Sequence, residues 1–202
     1  MQSLKEEEIF ADLRKRKKWV DGIAVSGGEP TLQPDLPQFL RKIKKMGFLT
    51  MVETNGSQPD IMAKLLNGKI VDFIAMDIKG PVGEYGEYIG QKSKVESQKY
   101  NSKVKSSMEL IIKSGIDCEF RTTVVPGLHN ERVLLKMATE LKKITEDCKL
   151  ATDSYRWFLQ NFQPKNCLDP EFEKRKPFTK EQLEDFLKAV KKIIPQTGLR
   201  GA

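Results

Sequence analysis

Short β-branched runs alternate with longer segments of helical period along most of this chain. That alternation predicts parallel βα units rather than an antiparallel or all-helical fold. The apolar runs are Gly22 to Val25, Phe48 to Val52, Val71 to Ile78, Glu119 to Val125 and Trp157 to Phe162, and they are followed by helical segments at Leu36 to Met46, Asp60 to Leu66, Ser102 to Lys113, Glu131 to Ile144 and Lys180 to Ile193. In the first of these, Leu36, Phe39, Leu40, Ile43 and Met46 recur at helical spacing and form one apolar stripe, while Arg41, Lys42, Lys44 and Lys45 face elsewhere. Asp35 is placed to cap that helix, Pro37 suits its first turn and Gly47 its end. Thr179 with Gln182 spells a capping box for the last helix, which closes ahead of Pro195. A further helix, Lys5 to Lys18, precedes the first strand without a strand of its own. The expectation is one α/β domain over residues 1–202, with five βα units, no repeat and no internal boundary.

In parallel βα folds the carboxyl ends of the strands open on one side, and chemistry collects there. Polar residues stand at those ends in succession: Ser26-Gly27-Gly28-Glu29-Pro30, then Glu53-Thr54-Asn55-Gly56, then Asp77-Ile78-Lys79-Gly80, then Arg121-Thr122-Thr123 ahead of Pro126-Gly127. Side chains alternate along a strand, so Asp77 and Lys79 share a face with Phe73 and Ala75, opposite Ile74, Met76 and Ile78. By the same parity Glu119 and Arg121 share a face, and Cys118 lies on the other. Charged groups inside apolar strands are costly unless they are paired or set in a functional cavity. Glu29 and Asp77 can receive a ligand ammonium, Lys79 or Arg121 a ligand carboxylate, and Glu53, Thr54 and Asn55 the hydroxyls of a sugar. Gly27-Gly28 permits positive φ and leaves N–H groups available. The ligand this set implies is an amino acid joined to a nucleoside. Taken singly, the same segments are turns at Gly27-Gly28 and Asn55-Gly56 and an internal ion pair of Asp77 with Lys79. Their alignment at successive strand ends is what favours a site.

Composition narrows the class without naming a ligand. At 39% hydrophobic and 31% charged the chain is expected to be an ordinary soluble protein. No apolar segment approaches the roughly 18 residues of a membrane span. Glu6-Glu7-Glu8 stands where a signal peptide needs a basic and then an apolar run, so a cytoplasmic location is expected. Lys and Arg number 35 against 28 Asp and Glu, a formal charge of +7, but the excess is dispersed. Arg14 to Lys18 is the densest run, and Gln91 to Lys105 carries lysines in a Ser-rich stretch expected to be mobile. With only Tyr100 beside those charges, the basic residues read as solvated surface first, a docking patch for an acidic protein second and a nucleic-acid site last. Cys118, Cys148 and Cys167 fit neither a disulfide framework nor a CxxC metal spacing and are expected to be free thiols. His129, the only histidine, lies in Pro126-Gly127-Leu128-His129-Asn130 and is expected to be a solvated loop residue, which excludes histidine-rich metal sites.

Ser26-Gly27-Gly28-Glu29-Pro30-Thr31-Leu32, Glu53-Thr54-Asn55-Gly56 and Met76-Asp77-Ile78-Lys79 together resemble the radical S-adenosylmethionine enzymes. Within that superfamily the likeness is to the activating proteins of anaerobic ribonucleoside-triphosphate reductase and the related pyruvate formate-lyase activases. Phe120 to Gly127 and Leu159 to Pro164 extend it through the last strand. The resemblance implies a partial (β/α) barrel in which Gly27, Gly28, Glu29 and Asp77 hold the methionine ammonium of S-adenosylmethionine, Lys79 holds its carboxylate, and Thr54 and Asn55 beside Glu53 meet the ribose. Arg121 and Gln163 would complete the pocket. The resemblance also implies a [4Fe-4S] cluster that cleaves the cofactor reductively, and an electron donor such as flavodoxin or ferredoxin. The implied partner is a glycyl radical enzyme, the large subunit of an anaerobic reductase, whose backbone glycine gives a hydrogen to a 5′-deoxyadenosyl radical. That family holds its cluster with a CxxxCxxC loop ahead of the Gly-Gly-Glu-Pro segment. Here no cysteine precedes Gly27, and thiolates are what hold such clusters. The expectation is therefore a truncated activase lacking the first βα unit and the cluster loop, without catalytic or metal-ligating residues of its own and inactive alone. Its Gly22 to Val25 strand would be left with an open flank. Two other classes fit the same residues: a non-catalytic module that binds S-adenosylmethionine or a nucleoside, and a split enzyme whose cluster half is another polypeptide.

Overall fold

A computed structural model describes residues 4–148, 155–167 and 169–201. The strands are β1 (Gly22–Val25), β2 (Leu49–Thr54), β3 (Phe73–Asp77), β4 (Asp117–Val124), β5 (Tyr155–Asn161) and β6 (Gly198–Arg200). They form one sheet in chain order with every neighbouring pair parallel. The helices are α1 (Glu6–Arg16), α2 (Leu36–Lys45), α3 (Pro59–Asn67), α4 (Tyr85–Tyr88), α5 (Lys94–Ser114), α6 (Glu131–Asp147) and α7 (Lys180–Lys191). Each strand is added beside the one before it. That is the progression of a (β/α) barrel, whereas a doubly wound sheet reverses its strand order.

Strand parity divides the sheet into an apolar and a polar face. Val52, Ile74, Met76, Phe120, Trp157 and Leu159 are fully buried among helix residues such as Leu40, Met62, Met108, Ile111 and Leu134. Glu53, Asp77, Glu119 and Arg121 alternate with them and therefore stand on the opposite face. In α2, Leu40 and Ile43 are fully buried as the stripe predicts, Pro37 sits in the first turn, and Gly47 follows the helix at φ +83°. α1 packs on α2 through the Phe10 and Phe39 rings, 5.5 Å apart, and a Lys42–Glu6 ion pair. A helix without a strand is thus held by the neighbouring unit.

The structure corrects four expectations. Among the described residues there are six strands rather than five, because Gly198–Arg200 adds to the edge of β5. Three residues carry no readable alternation, so only the partner edge reveals them. The segment read as mobile is the first half of α5, which Ser93 caps by accepting from the Glu96 N–H. Asn101 ties that half to α4 and the turn before it, accepting from the Gly86 N–H at 2.9 Å and donating to the Gly83 carbonyl at 2.6 Å. Asp35 makes no capping bond, its backbone already being helical at φ −91°, ψ −4°. His129 is not solvated: it is only 4% exposed. The capping box of Thr179 and Gln182 is present as expected.

α4 and α5 meet so closely that a Cβ at Gly86 would lie 2.3 Å from the Ser97 Cα. Backbone cannot yield as a side-chain tip does, so Gly86→Ala is expected to lower the melting temperature and to speed amide hydrogen exchange over residues 94–101. Unchanged exchange there would show that α4 does not hold the start of α5.

Candidate active site

β1 runs into two glycines in the left-handed region, Gly27 at φ +99° and Gly28 at φ +56°. No atom lies within 4 Å of where a Cβ would stand on either, so the space above this turn is open to a ligand. The chain then returns to extended backbone at Glu29, whose carboxylate ties the β1 loop to the β2 loop. One oxygen accepts from the Thr31 N–H (3.1 Å), the Thr31 hydroxyl (2.5 Å) and the Thr54 hydroxyl (2.7 Å). The other accepts from the Asn55 N–H at 2.6 Å. Asn55 in turn accepts from the Ser57 N–H at 2.9 Å, which shapes the turn after β2.

β3 delivers Asp77 and, just beyond its end, Lys79. Their charged ends are 3.9 Å apart and each side chain is about half exposed, 51% and 49%. Burial lifts the Asp77 carboxyl above its ordinary range, against the pull of Lys79 and Arg121. Arg121 is engaged on both sides, donating through Nε to Glu119 (2.5 Å) and through Nη1 to Glu53 (2.7 Å). Glu53 also accepts from the Ser26 hydroxyl at 2.5 Å. That bond and the Arg121 contact hold Glu53 below the usual carboxylate range. Glu119 receives Arg200 from β6 as a bidentate pair, both bonds 2.8 Å. Burial works to raise Glu119, but the two arginines outweigh it and its carboxyl stays low.

The residues singled out in the sequence therefore gather, with one exception. Gly27, Gly28, Glu29, Glu53, Thr54, Asn55, Asp77 and Lys79 occupy the ends of β1 to β3, and Arg121 stands within β4 opposite Asp77. Among the described residues no bond joins Gln163 to this group, and it lies exposed past the end of β5. Lys79 remains the half-exposed cation that can meet a ligand carboxylate, because Arg121 is occupied by two acids. Sequence reasoning missed the walls. A cavity of about 680 Å³ opens beside Asn55 and Lys79, lined by Tyr85, Tyr88, Tyr100, Phe162 and Phe172, a size suited to a small-molecule ligand. A smaller recess of about 120 Å³ holds Asp77, Lys79, Arg121, Tyr88 and His129. Tyr85 and Tyr88 belong to a four-residue helix with no readable period, so no sequence signal could have placed them.

The donor set fits S-adenosylmethionine in outline. The Asp77 carboxylate suits an ammonium, Lys79 a carboxylate, Thr54 and Asn55 hydroxyls, and the aromatic wall a heterocycle. The residues present do not fit an iron–sulfur cluster. Cys118 is buried on the helix side of β4, where burial pushes its thiol up to about 12. Cys148 ends α6, and Cys167 lies on the large cavity beyond β5. Among the described residues no group of three or more His, Cys, Asp or Glu is arranged to hold a metal ion.

Comparison with known proteins follows the same lines. Residues 1–137 match the Radical SAM superfamily. A Methanocaldococcus jannaschii protein named as a candidate glycyl-radical enzyme activating enzyme is 33% identical over 196 residues, 96% of this chain and 75% of the relative. A 7-carboxy-7-deazaguanine synthase of Thermococcus kodakarensis is 33% identical over 75 residues, 37% of this chain and 29% of that protein. Among solved structures, archaeal TYW1 superposes with a TM-score of 0.58 at 17% identity, covering 93% of this chain. Streptococcus suis SuiB bound to S-adenosylmethionine gives 0.65 at 15% identity, covering all of it. The chain spans 59% of the first of these structures and 44% of the second. These likenesses place the fold among radical S-adenosylmethionine proteins. No described helix is long and apolar enough to cross a membrane.

The Asp77 and Glu119 carboxyls are shifted in opposite directions. The Asp77 carboxyl is raised, so its ionisation costs folding free energy as pH climbs through the folded value, and Asp77→Asn removes that cost. At neutral pH the Asp77→Asn variant should melt at or above the unmodified temperature. The Glu119 carboxyl is lowered, so its contribution is present above about pH 4.3 and fades as pH falls through the folded value. Glu119→Gln should lose about 2 kcal/mol at neutral pH and less in acid. Thermal melts from pH 3 to pH 8 read both, and parallel curves for the three proteins would contradict these assignments.

Proposed function

Since the chain belongs to the radical S-adenosylmethionine superfamily, we propose that it binds S-adenosylmethionine across the ends of β1, β2 and β3 and serves the activation of a glycyl radical enzyme. The observation that carries this reading is the convergence of the open Gly27-Gly28 turn, the Asp77 and Lys79 pair and the Glu29-braced Thr54 and Asn55 on one rim. The identity to the Methanocaldococcus jannaschii protein along 96% of this chain supports the activase part of it. Asp77 takes the methionine ammonium, with the glycine turn beneath it. Lys79 takes the carboxylate, and Thr54 and Asn55 beside Glu53 meet the ribose. Arg121 acts at one remove, holding Glu53 in place. Gln163 is assigned to the outer edge of the same pocket. Bound there, S-adenosylmethionine is the source of the 5′-deoxyadenosyl radical in this superfamily.

A [4Fe-4S] cluster drives that cleavage in the family, and this chain's cysteines are not arranged to hold one. The chain is therefore proposed to be inactive alone, with the cluster-bearing CxxxCxxC supplied from outside these 202 residues. The partner is proposed to be the large subunit of an anaerobic ribonucleotide reductase, with flavodoxin or ferredoxin as electron donor and the cytoplasm as location. The cysteine placement also favours a second reading, in which the chain is a non-catalytic module that only binds S-adenosylmethionine.

Calorimetry tests the binding claim: the unmodified chain should release heat with S-adenosylmethionine, and Asp77→Ala should release none. No heat from the unmodified chain would sink the pocket. Anaerobic reconstitution with iron and sulfide under strong reductant tests the rest. No 5′-deoxyadenosine is expected from this chain, and its formation would overturn the proposed need for an outside cluster loop.

A further inference from the structure

The segment Asp77-Ile78-Lys79 leaves the sheet, and each of its carbonyls accepts from a side chain of a different element. The Tyr85 hydroxyl of α4 donates to the Asp77 carbonyl at 3.3 Å, and the Thr122 hydroxyl of β4 donates to the Ile78 carbonyl at 2.8 Å. His129, from the loop between β4 and α6, lies 3.1 Å through Nε2 from the Lys79 carbonyl. The first two donors are set deep in the core: Tyr85 is 2% exposed, and Thr122 is buried and itself receives the Trp157 N–H at 3.0 Å. The sheet ladder ends with Asp77, and the Ile78 N–H adds one more bond to the Arg121 carbonyl. Beyond that point Tyr85 also bonds the Lys79 backbone, and the imidazole is what meets the Lys79 carbonyl.

That imidazole has one chemically consistent state. Its Nδ1 accepts from the Val125 N–H at 3.0 Å and so carries no proton; the ring proton must then sit on Nε2 and point at the Lys79 carbonyl. Tyr88 packs against the ring with centroids 5.6 Å apart, and the same Tyr88 lies so near Gly80 that a Cβ there would meet its ring at 2.3 Å. His129 and Lys79 line the same small recess with Asp77 and Arg121. The turn itself does not need the ring. The His129 N–H donates to the Val125 carbonyl at 2.9 Å, and Asn130 caps α6 by accepting from the Val133 N–H.

We infer that His129 is a positioning residue of the ligand site: as a neutral strut between the β4 loop and the Lys79 carbonyl, it sets the direction from which Lys79, and through it Asp77, meets the ligand. This rests on the proposed S-adenosylmethionine pocket. The alternative is a ring that merely fills space, and two substitutions separate the two roles. In His129→Asn the amide oxygen stands where Nδ1 stood and can still accept from Val125, but the side chain is too short for Lys79. In His129→Gln the longer amide reaches the Lys79 carbonyl.

Titration of the full chain with S-adenosylmethionine, with melting temperatures measured alongside, decides between them. The unmodified chain should bind. His129→Asn should bind about 5- to 10-fold more weakly while still melting cooperatively above the temperature of the titration, and His129→Gln should return most of that affinity. Equal binding by His129→Asn, or equal losses in both variants, overturns the inference while leaving the pocket standing. No binding by the unmodified chain overturns the pocket and the strut's role in it together, and it is recognised because no variant is involved. As the only histidine in the chain, His129 also gives one isolated pair of ring signals in long-range proton–nitrogen spectra. The Nε2–H tautomer is expected at neutral pH. An Nδ1–H tautomer or a charged ring would overturn the inference even if both variants failed to fold.

Discussion

A parallel sheet whose second face carries acids and arginines survives only if those charges cancel, and here they cancel in one continuous chain of contacts. The Ser26 hydroxyl meets Glu53, Glu53 meets Arg121, Arg121 meets Glu119, and Glu119 meets Arg200. The line therefore crosses the sheet from the end of β1 to β6. Along it the Arg200 guanidinium stacks on the Phe158 ring at 3.6 Å, spanning β5 to reach Glu119 on β4. Paired in this way, ions that would otherwise be costly to desolvate hold the short last strand against the edge of the sheet.

The same ladder decides which charges are left to meet a ligand. Arg121, at 17% side-chain exposure, is held between two carboxylates, whereas Lys79 and Asp77 stand half exposed where β3 ends. Glu29 is engaged too, one oxygen with Thr31 and Thr54 and the other with the Asn55 N–H. Its work is to lock the β1 and β2 loops into one rim, and the open glycine turn depends on that lock. A site made this way is rigid where it is bonded and exposed only where binding groups are required.

Much of the fold was legible because its signals are local. The buried stripe of α2 and the alternation in β3 and β4 each repeat within a few residues, and each places its apolar members in the core. Parity alone put Glu119 and Arg121 on one face and Cys118 on the other, and the structure joins the first two at 2.5 Å and buries the third. Legibility failed where a residue's state depends on something distant. His129 looked like a solvated loop residue because its neighbours are turn formers; it is in a loop, yet its ring is buried against Lys79 and Tyr88. The Ser-rich start of α5 offered weak propensity and is helical because Asn101 bonds to α4 and the turn before it and Val104 packs inside.

The strand and helix periods, the polar residues on successive strands and the lack of a cysteine ahead of the glycine turn can all be read from the residues alone. Each of these is a matter of residue type and short-range spacing. Tertiary structure decided which charges are consumed and which stay open, the burial of the lone histidine, the aromatic wall from α4 and the sixth strand. Those depend on pairings across the chain, Glu119 with Arg200 across 81 positions being the longest, and no periodicity encodes a contact of that span.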